Sequence, residues 1–215
     1  IIRVDKDLEL DILGPLGCGI QTGAGAVLNR LKPVAGSSLV VFGCGTVGMS
    51  AIMAAHLCPC KNIIAVSGNE ESLALAKELG ATHGINRKTC GDVVAEIKKI
   101  TGGGADYAID TSGVPDMVKK ALASVKFLGT AVVLGVTGDL TINVQEELMG
   151  EGKSLIGIVE GDSNPKLFIP QLISYYKEGR FPFDRLIHVY DFNDINEAFH
   201  ASHSGKVIKA LLKMN

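Results

Sequence analysis

The chain is 215 residues long, 47% hydrophobic and 20% charged, with a formal net charge of −2. That length suits one or two domains with a substantial buried core, and the near-neutral balance excludes the basic surface that a nucleic-acid or anionic-membrane partner requires. No apolar run is long enough to span a bilayer, and the start at Ile1 carries neither a basic stretch nor a long apolar one, so a cytoplasmic enzyme is expected. The chain opens without a methionine, which makes a fragment or a processed product the expectation. Five cysteines, Cys18, Cys44, Cys58, Cys60 and Cys90, form no even disulfide framework, and most stand in apolar or helical contexts that suit reduced, buried thiols.

In chain order, the first strong element is the apolar run 38–42, which reads as a strand. It leads directly into Gly43-Cys44-Gly45-Thr46-Val47-Gly48, and a helix-like stretch follows over 49–55. A bare GxGxxG is a weak signal, but between a strand and a helix it is a dinucleotide fingerprint. Gly43 permits the tight turn, Gly45 lets the backbone approach a pyrophosphate, and Gly48 lets helix and strand pack closely, with the phosphates at the positive helix end. The competing reading is a structural turn in another kind of α/β protein.

The β-branched run 62–66 predicts a second parallel strand covered on both faces. A helix over 70–79 stops at Gly80, a strand follows around 82–85, and a helix over 92–100 places Val93, Ile97 and Ile100 on one face before the stop Gly102-Gly103-Gly104. Residues 106–110 read as a strand, Ser112-Gly113-Val114-Pro115 as the start of a helix through about 124, and 130–134 and 155–159 as further strands. This alternation predicts an α/β fold, a right-handed, doubly wound parallel sheet of the Rossmann type over roughly 23–159. The tail breaks the alternation, with a helix expected from Pro170 to 178, strands at 186–190 and 207–213, and a helix near 194–201. No repeat, low-complexity tract or charged linker interrupts the chain.

About 20 residues past the fingerprint an Asp or Glu ordinarily accepts hydrogen bonds from the adenosine ribose, and its loss commonly accompanies NADP use. Here the strand ends in Ser67-Gly68, which leaves room for a 2′-phosphate. The residues that follow are Asn69, Glu70, Glu71 and Ser72, with no Arg or Lys to neutralise one, so the cofactor is open as NAD(P). Cys58-Pro59-Cys60 has no further ligand at metal spacing, and His56, His83, His188, His200 and His203 form no pair on one helix face, so all five read as structural or surface residues. Tyr175 and Tyr176 are not followed by the Tyr-x3-Lys spacing of short-chain dehydrogenases.

The stretch Leu13-Gly14-Pro15-Leu16-Gly17-Cys18-Gly19-Ile20-Gln21-Thr22-Gly23-Ala24-Gly25-Ala26, with the fingerprint about 20 residues on, resembles the zinc-dependent alcohol dehydrogenases of the medium-chain dehydrogenase/reductase superfamily. Among them the bacterial aryl-alcohol (benzyl-alcohol) dehydrogenases look most similar. Glu78-Leu79-Gly80-Ala81-Thr82, Asp110-Thr111-Ser112-Gly113 and Ser204-Gly205-Lys206-Val207-Ile208-Lys209 extend the likeness over essentially the whole chain. The resemblance implies a partial second domain: 1–22 as the end of a catalytic domain and its connection, 23–159 as the cofactor domain, and 160–215 as the return of the catalytic domain. It implies that the fragment alone is inactive, since the family's other zinc ligands and proton relay have no counterpart here.

By the same resemblance Cys18 is a catalytic-zinc ligand, the thiolate being a tight zinc donor. Thr22 and Val47 touch the nicotinamide, and Leu134, Val136 and Ile158 serve its carboxamide end. Thr111 joins the cofactor set, and Lys209 meets the pyrophosphate. From the residues alone Thr22, Val47, Leu134, Val136 and Ile158 are equally well ordinary core positions, a lone cysteine between glycines such as Cys18 is more often a small buried residue, and a lysine near a chain end such as Lys209 is usually a solvated one. The implied reaction is hydride transfer between NAD(P) and a primary alcohol, aromatic ones included, or its aldehyde. The rival readings are a zinc-free quinone-type reductase, which generally lacks the Cys18 position, and a non-catalytic dinucleotide-binding module. A methyltransferase also uses a glycine-rich turn but does not share this alternation or ending. The resemblance further implies a homo-oligomer, with 155–159 as its seam.

Overall fold

In the computed structural model, residues 2–4 and 8–214 are described. β1 (Ser38–Phe42) is buried at all of its positions, as an unbroken apolar strand must be when helices cover both faces of a sheet. Its residues alternate between two cores. Leu39 and Val41 join one with Met49, Ile52 and Ile20, while Val40 and Phe42 join the other with Ile97, Met117 and Leu122.

β1 pairs in parallel with β2 (Asn62–Ser67) on one side and β4 (Ala105–Asp110) on the other. With β3 (His83–Asn86), β5 (Val125–Val133) and β6 (Ser154–Gly157), the sheet runs β3-β2-β1-β4-β5-β6, all neighbours parallel. This is the doubly wound order, and its direction of growth reverses between β1 and β4, which opens a crevice beyond their carboxyl ends. α2 (Thr46–Leu57), α3 (Glu70–Glu78), α4 (Val93–Thr101) and α5 (Pro115–Ser124) are the crossovers. Asn69 caps α3 by accepting the Ser72 amide, and Asp92 caps α4 by accepting those of Val94 and Ala95. Upstream, α1 (Gly19–Gly25) lies so close to α2 that a methyl group on Gly23 would collide with the Val47 carbonyl oxygen.

Several boundaries depart from the sequence expectation. β5 begins at Val125 rather than 130, because the ladder pairs Ala105 with Val125 and then skips to Tyr107 with Thr130, looping out the segment around Leu128 at φ 62°. β6 covers 154–157, not 155–159, and Val159 turns out to solvent at 80% exposure. The tail helix, α6 (Pro165–Lys177), begins one turn and more before Pro170, at Pro165 behind the Asn164 cap. Pro170 therefore sits inside the helix, where a missing amide ordinarily costs about 3 kcal/mol. Burial of Phe168, Ile169, Leu172 and Ile173 offsets that cost.

Those four side chains, with Phe181, Phe183 and Leu186, enter the same core as α1 and α2, so the packing of the sheet continues past residue 159 into the tail. β7 (Ile187–Asp191), α7 (Ile195–His203) and β8 (Lys209–Lys213) close the chain as a parallel two-stranded unit, with Ile187 opposite Lys209. β8 starts at 209 rather than 207, the two preceding residues belonging to its approach. Among the described residues no helix is long and apolar enough to cross a membrane.

Candidate functional site

The turn between β1 and α2 gives each fingerprint glycine a separate physical reason. Gly43 has φ +100°, and a methyl group there would lie 2.5 Å from the Thr111 hydroxyl. Gly48 faces the Gly43 carbonyl oxygen so closely that any Cβ would collide with it. Gly45 is different: nothing lies within 4 Å of the space a side chain would fill. That open space stands at the N-cap of α2, the end of a helix whose first amides have no intrahelical partner, and no side chain caps it. Thr111 braces the turn from β4, its hydroxyl 3.0 Å from the Phe42 carbonyl oxygen and 3.2 Å from that of Gly43. Its neighbour Asp110 is fully buried, and its carboxylate accepts from the Ser112 hydroxyl and from the amides of Ser112 and Gly113.

Thr46 carries the tail to this turn, its hydroxyl donating to the Ile208 carbonyl at 3.2 Å. Lys209, half-buried at the start of β8, is thereby brought beside the first turn of α2. On the other side of the crevice Thr22 is nearly buried and Val47 half-buried, on the contacting helices α1 and α2. Leu134 is half-buried beyond β5, and Val136 is wholly exposed. Ile158 sits in the core with its amide bonded to the Val133 carbonyl.

Sequence reasoning missed Glu160. It belongs to a loop, 160–162, in which three consecutive residues have φ of 50°, 68° and 47°. Gly161 of that loop packs against Gln21 and Gly25 of α1. The Glu160 carboxylate accepts from the Gln21 side-chain amide at 2.9 Å and stands 3.5 Å from the Thr22 hydroxyl. Only the glycine of that loop was a visible signal, and one glycine does not announce three left-handed residues.

A cleft of about 410 Å³ continues from Cys44 and Gly45 to Ser67, Gly68, Asn69 and Ser72, and is closed by Arg87, Lys88 and the 202–208 segment. The absence of a neighbouring cation expected from the local sequence is corrected here. β3 leaves the sheet with the Arg87 amide bonded to the Ser67 carbonyl at 2.9 Å, and this register carries Arg87 and Lys88 to the end of β2. His203, read as a structural or surface residue, is exposed and lines the same cleft. A larger cleft of about 600 Å³, with Lys61, Lys98, Lys126 and Asp106, opens at the opposite ends of the strands, away from the fingerprint. Ligands of such sheets bind at the carboxyl ends, and the fingerprint cleft is the one placed there.

The cysteines divide more sharply than expected. Only Cys44 is fully buried, and burial pushes its thiol up to about 12. Cys60 is pushed up to about 11, by burial first and then by the neighbouring Cys58 and Asp106. Cys18 is exposed, at the N-cap of α1. No cluster of three metal-ligating side chains occurs among the described residues, so Cys18 is a single thiol donor and not part of a complete metal site within them.

A six-stranded, doubly wound sheet with a glycine turn at its switch point defines the Rossmann class of dinucleotide-binding folds. The zinc-binding dehydrogenase family profile matches residues 46–174, more than half of the chain, and the chain belongs to that family. It is 43% identical over 213 residues to geraniol dehydrogenase of Castellaniella defragrans, covering 98% of this chain and 57% of that protein. The crystal structure of benzyl alcohol dehydrogenase from Acinetobacter calcoaceticus superposes with a TM-score of 0.95 at 45% identity, over 100% of this chain and 59% of that one. That of an alcohol dehydrogenase zinc-binding domain protein from Burkholderia ambifaria does so with 0.96 at 47%, over 100% and 58%. The chain thus spans less than two thirds of each of these relatives.

Proposed function

We propose that this chain is the cofactor-binding part of a zinc-dependent, NAD(P)-linked alcohol dehydrogenase that moves hydride between a primary alcohol, aromatic ones included, and its aldehyde. The observation that carries the reading is the open space over Gly45 at the amide end of α2, in the crevice where the strand order reverses. A diphosphate is the ligand that unpaired helix amides and a side-chain-free approach favour. Thr22 and Val47 then flank the nicotinamide end, and Lys209 adds charge beside the diphosphate.

Cys18 supplies one thiolate to zinc, and the remaining ligands belong to the rest of the enzyme. When bound, zinc supplies Lewis acidity that lowers the pKa of the alcohol. The exposed Cys18 also weighs against the zinc-free reductase reading. Two of the relatives are named for primary alcohols, geraniol and benzyl alcohol, which supports that substrate class. We further propose a homo-oligomer joined along β6, the outermost strand beyond β5.

The reading is tested by titrating the protein with NADH and NADPH and following nicotinamide fluorescence. Saturable binding of at least one is expected, and Gly45→Ala weakens it about tenfold or more, equivalent to roughly 1.4 kcal/mol. No saturable binding of either dinucleotide overturns the proposal.

A further inference from the structure

We propose, resting on the dinucleotide reading above, that the cleft at the end of β2 selects the 2′-phosphorylated cofactor, NADP, with Arg87 and Lys88 as the partners of the 2′-phosphate. Four observations lead to it. First, β2 ends in Ser67-Gly68, so the charged acceptor that would grip a free ribose diol is replaced by a neutral hydroxyl, which here stands 3.3 Å from the Asn69 amide.

Second, the two cations close directly on that point. A Cβ built on Gly68 would lie 2.9 Å from the Lys88 side chain and 3.4 Å from the Arg87 Nε, so the glycine is what admits both to the strand end. They are fixed there through the backbone, by the Arg87 amide on the Ser67 carbonyl and the Lys88 amide on the Asn86 side chain at 2.9 Å. Third, neither cation is in an ion pair with any of the described residues.

Fourth, no carboxylate lines the cleft. The Glu70 carboxylate accepts the Asn86 side-chain amide, and Glu71 is exposed on the first turn of α3. Two unpaired cations facing a carboxylate-free pocket are an electrostatic mismatch for a neutral ribose diol. They match a dianionic monoester, to which a guanidinium offers a bidentate fork and an ammonium a point charge.

The test compares 2′,5′-ADP with 5′-ADP, and NADPH with NADH, by calorimetry on the protein carrying the whole chain. The expected result is a preference of tenfold or more for the 2′-phosphorylated member of each pair, falling as salt is raised. In the Arg87→Ala/Lys88→Ala variant the preference ratio collapses towards one. In Ser67→Asp it inverts. Arg87 and Lys88 are exposed and Ser67 is half-buried, so circular dichroism and the melting temperature are read for each variant to check that the fold is intact. Equal or tighter binding of NADH by the unaltered protein overturns the inference while leaving the dinucleotide reading standing, and so does an NADPH preference that survives removal of both cations. Binding of no dinucleotide removes both.

Discussion

The three fingerprint glycines look alike in the sequence and have different substitution costs. An alanine at Gly48 must push against the Gly43 carbonyl, and overpacking of that kind costs about 1–3 kcal/mol. An alanine at Gly45 meets nothing, so its melting temperature is expected to match that of the unaltered protein while dinucleotide affinity falls. A thermal melt alongside a titration separates the two, and a Gly45→Ala variant that melts early or binds normally contradicts the assignment. The tight turn was legible because it is set within six residues of chain, whereas the approach of Thr111 to Gly43 comes from 68 residues further on. Arg87 and Lys88 were not legible, because their place beside Ser67 depends on the pairing of β2 with β3. Glu160 was hidden for a similar reason, its approach to Gln21 being made by a loop 139 residues away.

Between elements, Asp106 is a small knot at the amino ends of three strands. Its carboxylate accepts the Ser38 amide of β1 at 2.8 Å and pairs with Lys126 of β5 at 2.5 Å. Burial pushes its pKa up, but the Lys126 ammonium and the Ser38 amide outweigh burial and hold it below the ordinary carboxylate range. A depressed native pKa means that the stabilisation is present at neutral pH, above the unfolded value, and is lost as pH falls through the native value. Asp106→Asn is therefore expected to melt at a lower temperature than the unaltered protein at pH 7. The difference should shrink below about pH 4, near the ordinary Asp value, and vanish in stronger acid. Melting curves across that range check it, and a difference that grows on acidification contradicts it. Strand and helix order came readily from the alternation of apolar runs with capped segments. The start of α6 did not, because Pro165 and Pro170 both fit the first turn of a helix and only the Asn164 cap and the buried Phe168 and Ile169 decide between them.

For the whole molecule, the outer position of β6 leaves a row of backbone groups without a paired strand among the described residues. Leu155 and Ile156 are only half-buried there, and Val159 just beyond is exposed. In the proposed homo-oligomer, pairing with the same strand of a second copy would satisfy those groups and continue the sheet. Light scattering is expected to give twice the chain mass, and Ile156→Lys to shift it towards one copy. A monomer in both cases rejects the seam.

The hydroxyl of Thr46, at the start of α2, donates to the carbonyl of Ile208, so the closing ribbon of β7 and β8 is fastened to the turn proposed to receive the diphosphate. Ligand occupancy and ribbon docking are then linked equilibria: whatever tightens one must tighten the other by the same factor. A filled crevice should act as a clasp at a distance in sequence, slowing amide hydrogen exchange in residues 187–191 and 209–213 although most of them touch no part of the ligand. Exchange in that ribbon that is unchanged on saturation means the Thr46 bond fastens nothing.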